Sequence, residues 1–172
     1  MRAAEELRYL ILAIQREGNR LLAADLRPLG LTPSQAEVLR VLADRQALTL
    51  SGLGELLVCE AGHNPSRLVD RLVTAGLVDR QADRNDRRHV RLSLTDEGAR
   101  LAERVAVVEE RLYRTIDDLT AGQPVDATLA LLRAFADSFP AGQALALRRD
   151  PRARHHDQGA EDIIGAAEAR RC

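Results

Sequence analysis

Apolar residues recur at helical spacing at both ends of the chain, and the period changes once, between about residues 76 and 98. Over residues 3–26, Leu7, Leu10, Ile11, Ile14, Leu21 and Leu22 fall mostly three and four apart, which predicts one long amphipathic helix stopped by Pro28 and Gly30. Thr32 is placed to cap a second helix with Pro33 at its first position and Val38, Leu39 and Leu42 on its buried face. A short extended piece over 47–49 precedes a third helix ending near Val58, in which Gly52 and Gly54 either weaken the helix or let another segment approach closely. After a turn over 60–63, Asn64 as cap and Pro65 at the first position predict a fourth helix over 65–75. Leu68, Val69 and Leu72 turn inward there, Ser66, Arg67, Asp70 and Arg71 outward, and Gly76 terminates it.

In GLVDRQADRNDRRHVRLSLTDEG, residues 76–98, Leu77 and Val78 open one arm of a β-hairpin, and Val90, Leu92 and Leu94 alternate with Arg91 and Ser93 in the other. Arg84, Arg87 and Arg88 sit among Asp83, Asn85 and Asp86 at the tip. Two readings stand for this two-stranded ribbon: a solvated hairpin, or an arm whose guanidinium groups reach a nucleic-acid backbone or minor groove. Thr95 then caps a long helix carrying Leu101, Val105, Val108, Leu112, Ile116 and Leu119, which Gly122 and Pro124 interrupt. A last helix over 125–139 carries Leu129, Leu132, Phe135 and Phe139, with Pro140 and Gly142 closing the patterned region. The remainder to Cys172 is poor in apolar residues, which predicts a mobile tail over 146–172 with a weak helix near 163–171.

Composition narrows the function. At 172 residues, 45% hydrophobic and 30% charged, the chain is a globular protein of one domain or two small lobes. Aromatic residues make up only 2%, which argues against stacking on single-stranded nucleic acid. No apolar run is long enough to span a bilayer and no signal peptide is legible, so a cytoplasmic protein is expected. The net charge of −1 requires any basic surface to be local, and it is. Residues 64–91 hold seven arginines and four aspartates, whereas residues 31–62 carry a net negative charge. The positive excess falls on the fourth helix and the hairpin, where a winged helix-turn-helix would meet DNA.

The segments LTPSQAEVLRVL (31–42), PSRLVDRLVTAGLV (65–78) and DRRHVRLSLTDEG (86–98) resemble the multiple-antibiotic-resistance regulator (MarR) family, the similarity running over about residues 5–140. The resemblance implies a mainly α fold, a winged helix-turn-helix lobe over 31–98 with a small β-hairpin wing, and a helical dimerisation region from 1–30 and 99–145. It implies a homodimeric regulator, a repressor, bound to a pseudo-palindromic site on double-stranded DNA and released by a small anionic or aromatic effector. By the motif match, Arg88 enters the minor groove and Asp86 orients it. The effector crevice implied between the first, second and fifth helices would place Tyr9, Arg16 and Arg104 among its lining.

The residues themselves nominate Ser66, Arg67 and Arg71 for base contacts, with His63 and Asn64 near the phosphates and Arg84 and Arg87 as phosphate contacts or solvated charge. Asp70 either accepts from cytosine or orients a neighbouring arginine. Cys59, just before the fourth helix, is read either as a small buried hydrophobe or as a thiol switch. The N-terminal helix lacks the cysteine that the family's peroxide-responsive branch carries there. His63, His89, His155 and His156 lack metal-ligand spacing, so no metal or other cofactor is expected. No nucleophile turn or phosphate loop suggests an enzyme. The remaining alternative is a winged domain that acts as an interaction or architectural module without an effector.

Overall fold

A computed structural model describes residues 1–45, 47–59, 65–82 and 90–150. Helix α1 (Ala3–Leu26) passes through one 3-10 turn, Arg27–Leu29, into α2 (Pro33–Asp44). The chain continues through β1 (Leu48–Thr49), α3 (Leu50–Leu56), α4 (Ser66–Thr74), β2 (Val78–Ala82) and β3 (Val90–Leu94). Helices α5 (Asp96–Thr120), α6 (Val125–Ala136) and α7 (Pro140–Arg149) complete it. The fold is mainly helical with a small antiparallel sheet, as the change of period predicts.

Threonine hydroxyls set three of the helix starts. Thr32 Oγ1 accepts from the Gln35 amide at 3.3 Å while Gln35 Oε1 accepts from the Thr32 amide at 2.9 Å, a reciprocal cap on α2. Thr49 Oγ1 accepts from Gly52 N–H and Thr95 Oγ1 from Gly98 N–H, each at 3.0 Å. Caps of this kind are worth about 1 kcal/mol each. Helix α4 departs from the expectation: it begins at Ser66, one residue later, with Pro65 in the capping position and no side-chain cap. Asn64 lies outside the described residues. Pro65 is buried, and a Cβ added at Gly54 would lie 3.4 Å from its ring, so the glycine in α3 makes room for the proline that opens α4.

The end of α4 follows the glycine rule. Gly76 has φ +69°, its N–H donates to Val73 O, and Leu77 N–H donates to Leu72 O, both at 2.9 Å. That pairing satisfies the last carbonyls and buries Leu77 beside Leu72. The sheet corrects the two-stranded ribbon. Strands β2 and β3 pair with Val78 opposite Leu94 and Ala82 opposite Val90, but β1 adds to the other edge of β3 with Leu48 opposite Leu92, giving the order β1–β3–β2. A two-residue strand has no alternation to detect, yet it covers backbone groups that β3 would otherwise leave at an open edge. Leu92 is fully buried between its neighbours, while Val90, beyond the reach of β1, is 43% exposed.

The core is formed where α2, α3, α4, the sheet and the first half of α5 converge on Leu39, Leu53, Leu57, Val69, Leu72, Val78, Leu92 and Val105. Helix α5 joins this core through an approach that only glycine permits: a Cβ on Gly98 would lie 2.0 Å from the Leu77 carbonyl oxygen. Thr95 pins the same point, donating its hydroxyl to Gly76 O at 2.7 Å and its N–H to Leu77 O at 3.1 Å.

The C-terminal helices also depart from the sequence reading. The expected helix over 125–139 ends at Ala136, and Pro140 opens α7 rather than closing the patterned region. Proline lacks an N–H that a first turn would leave unbonded, so it starts a helix as readily as it stops one. Helix α7 reaches Arg149, four residues into the stretch read as a mobile tail from 146.

Gly98→Ala should cost about 2–3 kcal/mol of unfolding free energy, because backbone must move to admit the methyl group. Gly18→Ala, where a helical Cβ meets nothing within 4 Å, should gain about 0.5–1 kcal/mol. Urea denaturation of both variants checks the pair, and equal effects would contradict the close approach.

Candidate nucleic-acid interface

Helix α4 divides into two faces as its sequence predicts. Val69 and Leu72 are buried and Leu68 packs beside them, while Arg67, Asp70 and Arg71 are exposed and Ser66 is half-buried. Among the described residues Arg67 and Arg71 form no ion pair, so the outward face presents two guanidinium groups one helical turn apart.

Asp70 has a partner that the sequence did not identify. Its Oδ1 lies 2.6 Å from Nη2 of Arg80 on β2. Of its two readings, orienting a neighbouring arginine is the one the geometry matches. Both side chains are open to solvent, so the pair contributes little to stability. Its consequence is geometric, since it ties the polar face of α4 to the wing strand. The sequence showed Arg80 only as one of seven arginines, because nothing local distinguishes it from the others.

Behind α4, the turn from α3 is organised by Glu37 of α2. Its Oε1 accepts from Val58 N–H and its Oε2 from Cys59 N–H, both at 2.9 Å. Cys59 itself is exposed, unlike the buried small hydrophobe of one sequence reading. Further along α2, Arg40 Nε meets Glu109 Oε2 of α5 at 3.1 Å and binds the lobe to the long helix. Burial holds the Glu109 carboxyl above its ordinary range despite the opposing pull of Arg40.

Two cavities flank Arg40. One, of about 450 Å³, lies between α2, β3 and α5, with Leu42, Leu94, Ala99, Ala102 and Glu103 among its lining. The other, of about 280 Å³, lies between α2 and α7 and is lined by Arg40, Val41, Asp44, Arg45 and Arg148. Tyr9, Arg16 and Arg104 line neither: all three are exposed, and the Arg8 guanidinium stacks 4.0 Å from the centre of the Tyr9 ring. His63, Asn64, Arg84, Asp86, Arg87 and Arg88 lie outside the described residues.

A family model for the winged helix DNA-binding domain matches residues 31–98. The chain is 31% identical over 104 residues to the organic hydroperoxide resistance transcriptional regulator of Bacillus subtilis (strain 168), covering 60% of this chain and 70% of that protein. It is 35% identical over 94 residues to the multiple antibiotic resistance protein MarR of Escherichia coli (strain K12), covering 55% and 65% respectively. Among solved structures it is similar to a mutant MarR from E. coli complexed with operator DNA, with a TM-score of 0.61, 32% identity, and 74% and 90% of the two chains covered. The transcriptional repressor CouR bound to a 23-mer DNA duplex gives a TM-score of 0.63 at 27% identity, covering 78% and 92%.

A helix with an exposed basic face, set beside a β-wing on a three-helix lobe, defines a winged helix-turn-helix DNA-binding protein. The chain belongs to the MarR family of transcriptional regulators.

Because the folded protein holds the Glu109 proton to higher pH than the unfolded chain does, native stability should fall as pH rises above the ordinary carboxyl value of 4.5. Glu109→Gln should remove that part of the slope. Urea midpoints for both proteins from about pH 4 to about pH 7 read the difference, and parallel profiles would contradict it.

Proposed function

We propose that the protein is a repressor that binds a pseudo-palindromic operator as a homodimer and is released by a small anionic or aromatic effector. The observation that carries DNA reading is the outward face of α4, where Arg67 and Arg71 stand clear while Asp70 ties the helix to Arg80 of the wing. Ser66, Arg67 and Arg71 are assigned to base edges, and His63 and Asn64 to phosphates at the helix start. At the wing, Arg88 is assigned to the minor groove with Asp86 orienting it, and Arg84 and Arg87 to phosphate contacts or solvated charge.

Dimerisation is supported by apolar surface with nothing to cover it. Helix α6 contains no buried residue, though Leu129, Leu131, Leu132 and Phe135 lie on it. Ile14 on α1 and Leu119 at the end of α5 are 71% and 78% exposed. Exposed apolar surface of this kind marks an interface, and a two-fold axis would set two α4 helices in successive major grooves about 34–36 Å apart. The cavity between α2, β3 and α5 suits a small effector, with Leu42, Leu94, Ala99 and Ala102 on its apolar side. A second reading, thiol control, is favoured by the exposure of Cys59 in the turn before α4. Operator binding by wild type and Cys59→Ser after peroxide treatment separates it, since an equal response removes Cys59 from the switch.

Arg67→Ala should relax sequence preference, raising affinity for random DNA relative to operator DNA. An equal loss on both would make Arg67 a phosphate contact. Arg88→Ala should weaken operator binding by about tenfold or more and flatten its dependence on salt, and an unchanged salt titration would remove Arg88 from the interface. Phe135→Arg should shift the protein to monomer in sedimentation equilibrium, and a retained dimer would place the interface elsewhere.

A further inference from the structure

Where the chain leaves α3, backbone groups of Leu56, Val58 and Cys59 lie beyond the reach of helical pairing, and side chains from other elements answer them. Glu37 takes the N–H groups of Val58 and Cys59. Arg148, on the last turn of α7, donates its Nε to the Leu56 carbonyl at the end of α3 at 2.6 Å, and its Nη2 pairs with Glu37 Oε1. One guanidinium thus holds both the final carbonyl of α3 and the carboxylate that holds the turn. The Glu37 side chain is only 10% exposed, so without Arg148 it would keep a charge away from water with its counterion gone.

Helix α7 is fastened at both ends. At its start a Cβ on Gly142 would lie 2.0 Å from the Ala136 carbonyl oxygen, which seats α7 tightly on the end of α6. At its far end Arg45, just past α2, donates to the Leu147 carbonyl at 2.9 Å. The helix therefore runs from the uncovered apolar α6 to the turn that launches α4.

We propose that Arg148 is a positioning residue for DNA reading, and that α7 is a strap that sets the turn before α4 according to where α6 sits. The proposal rests on the DNA-binding reading above. Arg148 acts through Glu37 and the Leu56 carbonyl, without touching DNA, and a movement of α6 against the lobe would draw the guanidinium from these two acceptors and loosen the approach to α4. The role needs a guanidinium, because its Nε and Nη2 edges meet a carbonyl and a carboxylate together, which an ammonium on a flexible stem does not reproduce.

The test uses full-length wild type, Arg148→Met, Arg148→Lys, Glu37→Gln and the Arg148→Met/Glu37→Gln double variant, with a duplex that the wild type selects from a random pool. Operator affinity is measured across a salt series, and amide hydrogen exchange is followed at Val58 and Cys59, with Leu92 reporting the core. Arg148→Met should weaken operator binding about tenfold, leave the salt slope unchanged, and speed exchange at Val58 and Cys59 but not at Leu92. Lysine should not restore affinity, and the double variant should lose less than the sum of the two single variants. Unchanged operator affinity, unchanged exchange at the turn, or exchange raised equally at Leu92 would each overturn the proposal. So would full rescue by lysine or additive losses in the double variant, and a shallower salt slope would make Arg148 a direct phosphate contact. If the wild type selects no duplex, the DNA-binding reading fails, while the exchange arm still decides whether Arg148 holds the turn.

Discussion

The backbone of Leu77 is where the parts of the lobe are locked together. Helix α4 ends there through Gly76, β2 begins at the next residue, and the first turn of α5 lies so close that Gly98 has no room for a Cβ. Thr95 serves both sides, donating its hydroxyl to Gly76 O and accepting from Gly98 N–H. The order of threonine and glycine at the end of the wing therefore has a direct physical cause: the hydroxyl spans two elements and the missing side chain lets them touch. The angle of α4 to the wing and the attachment of the lobe to the long helix both depend on this junction.

Polar ties then fix the reading elements at finer scale. The pair between Asp70 and Arg80 joins α4 to β2 at the surface, where screening leaves it little energy but its geometry remains. The ties through Glu37 and Arg40 are less exposed and bind α2 to its neighbours, one to the turn before α4 and the other to α5. Exposed arginines on α4 are thereby left facing outward, while arginines behind it are consumed by carboxylates and carbonyls. Local net charge conceals this division, because an arginine that holds the scaffold counts the same as one that faces outward.

Most of the elements were legible because their signals are local. Thr32, Thr95, Gly76 and the apolar spacing of α1, α2, α4 and α5 each act within a few residues, and the helices begin and end close to where they predict. The misses share one cause. The extended piece at β1 was legible, but two residues show no period that would reveal its pairing with β3, and Pro140 carries the same local signature whether it stops a helix or starts one. Asp70 reads locally as a possible arginine partner, but Arg80 lies across a chain reversal. Glu37 and Arg148, 111 residues apart, have no sequence pattern to join them.

The sequence by itself determined the class of the fold, the face of α4 that points outward and the location of the positive excess, because periodicity, caps and charge are properties of short segments. Only the tertiary structure decided which charges are committed to the scaffold, that a third strand completes the sheet, and that the C-terminal helix reaches back to the turn before α4. Those are long-range pairings, set by which buried backbone groups lack partners once the chain has packed, and that need does not exist until the fold creates it.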